Sequence, residues 1–152
     1  MFRWSNATVA SSDLMLTPPT IVLVEDSKGD AYIIQEAVAE QIPGSRVRHF
    51  EDAPSALKFL EDIDSSATLP CPALFVVDLN LPGGWGGSLV ERIRQGRCSN
   101  VPILISSSAR PDSIKGLGKF GAHFFSKPSS YDEFFAIGKI IRSLMTEPQA
   151  AT

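Results

Sequence analysis

The feature that most restricts the fold of this chain is the alternation of short apolar runs with segments of helical spacing. The runs at residues 21–24, 74–77 and 102–105 are apolar throughout. Uninterrupted runs of this length are typical of strands buried on both faces, as in the centre of a parallel sheet. Residues 46–50 and 122–126 complete a set of five predicted strands. Five strands that alternate with five helices predict a parallel sheet covered on both faces through right-handed crossovers.

The predicted helices lie at residues 31–42, 53–60, 88–97, 112–120 and 130–144. The first is expected to begin at a capping pair formed by Ser27 and Asp30, and the last at a capping box formed by Ser130 and Glu133. Two glycines fall inside the fourth predicted helix, and each costs about 1 kcal/mol relative to alanine in a helix interior. We therefore predict that the fourth helix is the least stable.

Length, charge and composition bound the domain count and the classes of partner. A chain of 152 residues suits a single domain, here predicted at residues 20–146 between a flexible N-terminal extension (1–19) and a C-terminal tail (147–152). A net charge of −3 without a cluster of Lys and Arg argues against a nucleic-acid partner. No run approaches the roughly 18 apolar residues of a membrane span, and the N-terminus does not resemble a signal peptide. We expect a cytoplasmic protein without a membrane partner.

The cysteines and histidines are not expected to take part in the chemistry. Cys71 and Cys98 have neither the number nor the spacing of a disulfide framework or a zinc site, so they are predicted to be free thiols. His49 and His123 are predicted to be ordinary strand residues that lie away from the carboxyl edge of the sheet.

Polar side chains follow four of the predicted strands. Glu25 and Asp26 follow the first, Asp78 ends the third, Ser106 follows the fourth and Lys127 follows the fifth. Because the carboxyl ends of parallel strands lie along one edge, these side chains are expected to be neighbours. With strand order 2-1-3-4-5, the first and third strands are adjacent at a topological switch point, where open sheets bind their ligands.

Three carboxylates this close need a cation, since their repulsion would otherwise raise at least one pKa. Mg²⁺ prefers oxygen ligands, and the backbone carbonyl of Asn80 is a further candidate. With Ser106 and Lys127 nearby, Asp78 is interpreted as a nucleophile, because carboxylates attack phosphoryl groups to form aspartyl phosphates. Mg²⁺, Lys127 and Ser106 would then offset the charge on the transferred group, while Asp26 holds the metal.

Four short motifs in this order also resemble the receiver domain of two-component response regulators. They are Val-Glu-Asp at 24–26, Asp-Leu-Asn-Leu-Pro-Gly at 78–83, Ile-Ser at 105–106 and Lys-Pro at 127–128. The resemblance spans residues 20–146 and implies a flavodoxin-like (βα)5 fold. It also implies phosphoryl transfer from a histidine-kinase phosphohistidine to Asp78, with Mg²⁺ bound by Asp26, Asp78 and the Asn80 carbonyl, Glu25 assisting, and Ser106 and Lys127 sensing the phosphoryl group.

The resemblance further implies a switch. Phe124, three residues before Lys127, falls on the aromatic switch position of the family. Phosphorylation is expected to pull Ser106 inward and to change the surface of the fourth and fifth strands and helices, which would bind a downstream protein. The chain looks most similar to stand-alone receivers, including those paired with bacterial phytochrome kinases.

Several consequences for partners and activity follow from this resemblance. The expected partner upstream is a histidine kinase, of phytochrome type or another, or a histidine phosphotransfer protein; a homodimer stays open. The protein is expected to be a phosphoacceptor with self-catalysed transfer and slow autodephosphorylation, not an enzyme with turnover.

Two other functions stay open. A small Mg²⁺-dependent phosphatase or phosphotransferase would use Asp78 as its nucleophile, but such hydrolases usually carry a second acid two residues later, where this chain has Asn80. A flavin-binding module of the same fold class would need a phosphate-cradling loop after the first strand, where Glu25 and Asp26 would repel a phosphate.

The loop after Asp78 holds four glycines around Trp85 at residues 83–87. These glycines are expected to leave the backbone unusually free. Trp85 is interpreted either as a loop residue that packs over neighbouring backbone or as part of a lid over the site.

Overall fold

A computed structural model describes residues 18–82, 86–108 and 116–146, and strands alternate with helices across them. The strands are β1 (Thr20–Val24), β2 (Arg46–Phe50), β3 (Leu74–Val77), β4 (Ile103–Ser107) and β5 (His123–Ser126). The helices are α1 (Lys28–Gln41), α2 (Ala53–Asp64), α3 (Gly86–Gln95), α4 (Tyr131–Phe135) and α5 (Ile137–Thr146), and a 3-10 turn covers Leu117–Phe120. The predicted N-terminal extension and C-terminal tail lie outside the described residues, apart from residues 18 and 19.

The five strands form one parallel sheet in the order β2-β1-β3-β4-β5, which confirms the predicted fold class. In this register Val24 of β1 lies beside Val77 of β3, and Val77 lies beside Ile105 of β4. The next residues along the three strands are Glu25, Asp78 and Ser106. The strand register alone therefore places these three polar residues next to one another at the carboxyl edge.

Side chains of the sheet alternate between two hydrophobic cores. One core lies between the sheet and the helices α2 and α3, and the other lies between the sheet and α1, α4 and α5. Helix α5 approaches α1 so closely that a Cβ added to Gly138 would lie 2.6 Å from the Ala37 carbonyl oxygen. Every residue of β3 is buried. Because both cores pack against β3, the position of Asp78 is set by a strand that is buried on both faces.

The predicted capping residues begin the first and last helical segments. Ser27 Oγ accepts a hydrogen bond from the Asp30 backbone N–H at 3.2 Å, and Ser130 Oγ accepts one from the Glu133 backbone N–H at 3.1 Å. Each bond satisfies one of the N–H groups that a helix start leaves without an intrahelical partner.

Two helix predictions are wrong in extent. The helix predicted over 130–144 is interrupted at Ala136 and forms α4 and α5. In place of the helix predicted over 112–120, the described residues form a short 3-10 turn at Leu117–Phe120, and Gly116 before it has a φ of 94°, a left-handed conformation that does not occur inside a right-handed helix. Within the described residues, no helix has both the length and the apolar composition needed to cross a bilayer.

The prediction of free thiols is also wrong, because Cys71 and Cys98 form a disulfide. Their Cα atoms are 5.7 Å apart, within the range for such bonds. Cys71 precedes β3 and Cys98 follows α3, so both lie at the amino edge of the sheet, opposite the polar edge. Spacing along the sequence did not indicate the pair, because a separation of 27 residues becomes a contact only after β3 and α3 have packed side by side.

Candidate functional site

Asp78 follows β3 directly, and only 4% of the residue is exposed. Its Oδ1 accepts a hydrogen bond from the Asn80 backbone N–H at 3.0 Å, and its Oδ2 accepts one from Lys127 Nζ at 2.9 Å. Burial acts to raise the pKa of Asp78, but these donors outweigh burial and hold the pKa below its ordinary value. Asp78 is therefore ionised at neutral pH, as a nucleophilic carboxylate has to be.

Lys127 follows β5, and three carboxylates surround its ammonium group. Nζ lies 2.8 Å from Glu25 Oε1, 2.9 Å from Asp30 Oδ2 and 2.9 Å from Asp78 Oδ2. Burial acts to lower the pKa of Lys127, but its close contacts with the three carboxylates outweigh burial and raise the pKa above its ordinary value. A stable positive charge thus lies beside the Asp78 carboxylate.

Glu25 is the first residue after β1 and is 1% exposed. Its Oε2 accepts a hydrogen bond from the Ser27 backbone N–H at 3.1 Å. Its Oε1 contacts Lys127 as an ion pair without an aligned hydrogen bond. Burial, which outweighs the effect of Lys127, raises the pKa of Glu25 to about 7. A buried carboxylate oxygen that lacks a hydrogen-bond donor is suited to a cation, bound directly or through water.

Glu25, Asp26 and Asp78 form an acidic cluster in which one oxygen from each carboxylate lies within 4.8 Å of the others. Asp26 is exposed, so an ion can reach the cluster from solvent. An all-oxygen set of this kind, in which Glu25 Oε1 accepts no aligned hydrogen bond, fits a hard divalent cation. Asn80 touches the cluster through its backbone N–H, and the metal role of its carbonyl stays a prediction.

Asp30 is a site residue that sequence interpretation missed. It was predicted only as the capping partner of Ser27, and its backbone N–H has that role. Its carboxylate, however, accepts a hydrogen bond from Lys127 Nζ at 2.9 Å. The available signal was topological: the first turn of α1 starts at the same sheet edge as the end of β5, so an acid there can meet a residue 97 positions away.

Two adjacent serines, both buried, end β4. Ser106 was predicted to follow this strand, but β4 extends to Ser107, so Ser106 lies within it and pairs with Phe125 of β5. Since successive strand residues point to opposite faces, the two hydroxyl groups face different sides of the sheet. Among the described residues, Ser106 Oγ has no hydrogen-bond partner. The phosphoryl-sensing role of Ser106 stays a prediction, and Ser107 is a second candidate at the strand end.

His49 lies in β2 as predicted, but the prediction that it lies away from the carboxyl edge is wrong, because its ring reaches the residue that follows β1. Its Nε2 lies 2.7 Å from the Glu25 carbonyl oxygen, so the ring donates a hydrogen bond there when Nε2 carries the proton.

Phe124, the predicted aromatic switch, lies in the edge strand β5 and is 40% exposed. Near the start of α4, the exposed ring of Tyr131 stacks on Phe135 at 5.6 Å. The switch role of Phe124 stays a prediction.

The glycine-rich loop returns to the backbone that carries Asp78. The Gly86 N–H donates a hydrogen bond to the Leu79 carbonyl at 3.0 Å. A Cβ on Gly86 would overlap the Asp78 carbonyl oxygen and lie 2.7 Å from Leu79 Cα. Gly86 is therefore required by close contact between two backbone segments, rather than by the freedom expected of this loop. Residues 83–85 lie outside the described residues, so the structure does not test the interpretation of Trp85 as a lid.

Comparisons with known proteins point in one direction, although no protein-family model matches the chain. The chain is 26% identical over 141 residues to the response regulator Rcp1 of Synechocystis sp., covering 90% of this chain and 95% of that protein. Its structure is similar to that of the phosphorylated cyanobacterial phytochrome response regulator RcpA, with a TM-score of 0.77 and 26% identity across 89% of this chain and 100% of that one. The similarity to the Mn²⁺-bound form of Rcp1 has a TM-score of 0.75 and 25% identity, across 88% of this chain and 100% of that one.

Proposed function

We propose that this chain is a receiver domain of the two-component response-regulator class and that Asp78 is the residue that accepts its phosphoryl group. One observation carries the proposal. The Asp78 carboxylate stands at the end of the central strand, 2.9 Å from a largely buried ammonium and within 4.8 Å of two further carboxylates. This arrangement combines a nucleophile with positive charge and with a place for a metal ion.

In the proposed reaction a lone pair of one Asp78 carboxylate oxygen attacks the phosphorus of a phosphohistidine. An O–P bond forms as the N–P bond breaks, and the imidazole nitrogen of the donor keeps the electron pair. The reaction changes no oxidation state. Lys127 offsets negative charge on the phosphoryl oxygens, and the Asn80 backbone N–H holds the Asp78 carboxylate in position.

The metal is proposed to be Mg²⁺, held by Asp26, Asp78 and the Asn80 carbonyl, with Glu25 assisting. When bound, Mg²⁺ would neutralise charge on the oxygens of the phosphoryl group. The fit of the carboxylate cluster to a divalent cation and the Mn²⁺-bound structure of Rcp1 support this proposal. The choice between Mg²⁺ and Mn²⁺ is open to direct measurement because both prefer oxygen ligands.

The upstream partner is proposed to be a histidine kinase of the phytochrome type, because similar proteins are described as phytochrome response regulators. A histidine phosphotransfer protein would present the same phosphohistidine. Downstream, phosphorylation is proposed to change the surface of β4, β5 and the helices after them through Ser106 and Phe124, and so to alter binding of a target protein or of a second copy. A cytoplasmic location, and slow autodephosphorylation without enzymatic turnover, belong to the same proposal.

The alternative of a metabolite phosphatase is not favoured. Position 80 carries an amide side chain instead of the second acid such hydrolases usually use, and the Asn80 backbone N–H bonds to Asp78. Without an acid at that position, the site lacks a general acid or base two residues after its nucleophile.

The test is phosphorylation by a small donor. The protein is incubated with acetyl phosphate and Mg²⁺, and its intact mass is followed with time. We expect a gain of one phosphoryl group that needs the divalent ion and is absent in Asp78→Asn. The matched variant Asp132→Asn, at an exposed acid in α4, should gain it as the unchanged protein does. An equal gain in Asp78→Asn would contradict the assignment.

A further inference from the structure

The third carboxylate around Lys127 has no task in the reaction described so far. Glu25 and Asp78 belong to the acidic cluster, whereas Asp30 comes from the first turn of α1 and is absent from that cluster. We propose that Asp30 is a positioning residue: it holds the Lys127 ammonium in place so that this group stays directed at the phosphoryl oxygens while the phosphoryl group is transferred to Asp78. The inference rests on the proposed function and extends it to a residue outside the predicted site.

Lys127 needs an anchor because its side chain is long and has several rotatable bonds. In the unphosphorylated protein its Nζ is held partly by Asp78 Oδ2. When that carboxylate becomes an acyl phosphate, its charge is lost and negative charge appears on the phosphoryl oxygens instead. The Lys127 N–H that bonded to Asp78 is then released for the phosphoryl group. The other two contacts of the ammonium decide whether it keeps its place.

Of these two contacts, the Asp30 contact is the better anchor. Glu25 Oε1 meets Lys127 without an aligned hydrogen bond, and Glu25 also borders the proposed metal. Asp30 makes an aligned hydrogen bond of 2.9 Å to Nζ. Because Asp30 is not part of the acidic cluster, a metal ion bound to that cluster would leave the Asp30 carboxylate available to Lys127.

The backbone of Asp30 is itself well fixed. Its N–H is bound by the Ser27 cap, and it stands in the first turn of a helix of 14 residues. Four residues of that helix are buried against the sheet. The Asp30 side chain is 31% exposed and the Lys127 side chain is 10% exposed, so Asp30 lies between the largely buried ammonium and solvent. A rigid helix thus holds the acid that holds the lysine, and a carboxylate at a helix N-terminus is in addition favoured by the helix dipole.

An ion pair of this kind could also serve stability alone, and the kinetics separate the two roles. The rate constant for phosphorylation by acetyl phosphate is measured at saturating Mg²⁺ for four single variants, with thermal unfolding to confirm that each is folded. Asp30→Ala is expected to react about tenfold more slowly, the size of one charge-assisted hydrogen bond. Asp30→Asn keeps an acceptor oxygen and should recover part of the rate. Glu36→Ala, which removes an exposed acid from the same helix, should react at the unchanged rate.

The fourth variant, Lys127→Ala, tests whether Asp30 affects the rate through Lys127, which a measurement of stability alone would not show. If Asp30 acts through Lys127, adding Asp30→Ala to Lys127→Ala should change the rate by less than about twofold, because the two changes remove the same interaction. The Mg²⁺ concentration for half-maximal rate should be the same in Asp30→Ala and in the unchanged protein.

The inference is overturned if Asp30→Ala reacts at the unchanged rate. It is also overturned if Asp30→Ala slows the Lys127→Ala protein by the same factor as the unchanged protein, or if it mainly weakens Mg²⁺ binding. Failure of the proposed function looks different, because the unchanged protein would then gain no phosphoryl group, or Asp78→Asn would gain as much.

Discussion

Reduction of the Cys71–Cys98 disulfide is predicted to lower the stability of the domain without changing its fold. The bond closes a loop over a sequence separation of 27 residues. That loop contains β3, Asp78 and α3, which are the segments that build one side of the site. Reduction leaves the packing of these segments intact and mainly restores freedom to the unfolded chain.

The size of the effect follows from the loop length. In the chain-entropy treatment a loop of this length corresponds to about 12 cal/mol/K, or about 3.5 kcal/mol at 25 °C. For a domain of this size, 1 kcal/mol shifts the unfolding temperature by roughly 3 °C. Reduction should therefore lower the Tm by about 10 °C. Cys98 is only 2% exposed, so the reductant is expected to act slowly on the folded protein.

The assay is thermal unfolding with and without a phosphine reductant, together with thiol counting in denaturant. The matched control is the double variant Cys71→Ser/Cys98→Ser, which should unfold near the temperature of the reduced protein and should not respond to the reductant. If the protein contains two free thiols before the reductant is added, or if the reductant leaves the Tm unchanged, the disulfide and its entropic effect on stability are refuted. A cytoplasmic location would keep the pair mostly reduced, so the lower Tm would apply there.

Three further predictions concern the polar edge. The free energy of unfolding, measured by urea titration, should fall as pH rises from 4.5 to about 7, because folded Glu25 keeps a proton that the unfolded chain releases in this window. The variant Glu25→Gln should flatten that fall, and a variant with the same pH profile as the unchanged protein would count against the burial of this carboxyl. Gly86→Ala should lower the free energy of unfolding by about 1–3 kcal/mol and slow phosphorylation, whereas Gly138→Ala should lower the free energy of unfolding by a similar amount and leave the phosphorylation rate of the folded protein unchanged. Equal phosphorylation rates in the two variants would show that contact with the Asp78 backbone is not needed. Ser106→Ala should change the free energy of unfolding by less than about 1 kcal/mol, since its hydroxyl has no hydrogen-bond partner among the described residues, but it should slow phosphorylation about tenfold or more. A slower phosphorylation seen only in Ser107→Ala would assign the role to Ser107 instead.

Much of the fold and of the site was predictable because register follows from strand pattern. Once β1, β3 and β5 are recognised as parallel strands of one sheet, the residues at their ends must share an edge, and Glu25, Asp78 and Lys127 do so. Helix caps such as Ser27 were equally accessible, because capping is a local interaction between residues three apart.

What the sequence did not reveal depends on tertiary packing or on single-residue boundaries. The side chain of Asp30 could satisfy a helix start or reach across to β5, and only the packing of α1 on the sheet decides between them. The pairing of Cys71 with Cys98 depends in the same way on how β3 and α3 are placed. The extension of β4 by one residue, to Ser107, changes which serine ends the strand, and strand patterns do not fix boundaries to that accuracy.

The measurement that tests the central claim most directly is identification of the phosphorylated residue. After reaction with acetyl phosphate and Mg²⁺, borohydride reduction converts an aspartyl phosphate into homoserine, and peptide mass spectrometry locates it. We predict homoserine at Asp78, formed only when both the donor and the divalent ion are present. Homoserine at another acid, such as Asp26, or a phosphate that remains on a serine or histidine with Asp78 unmodified, would contradict the account.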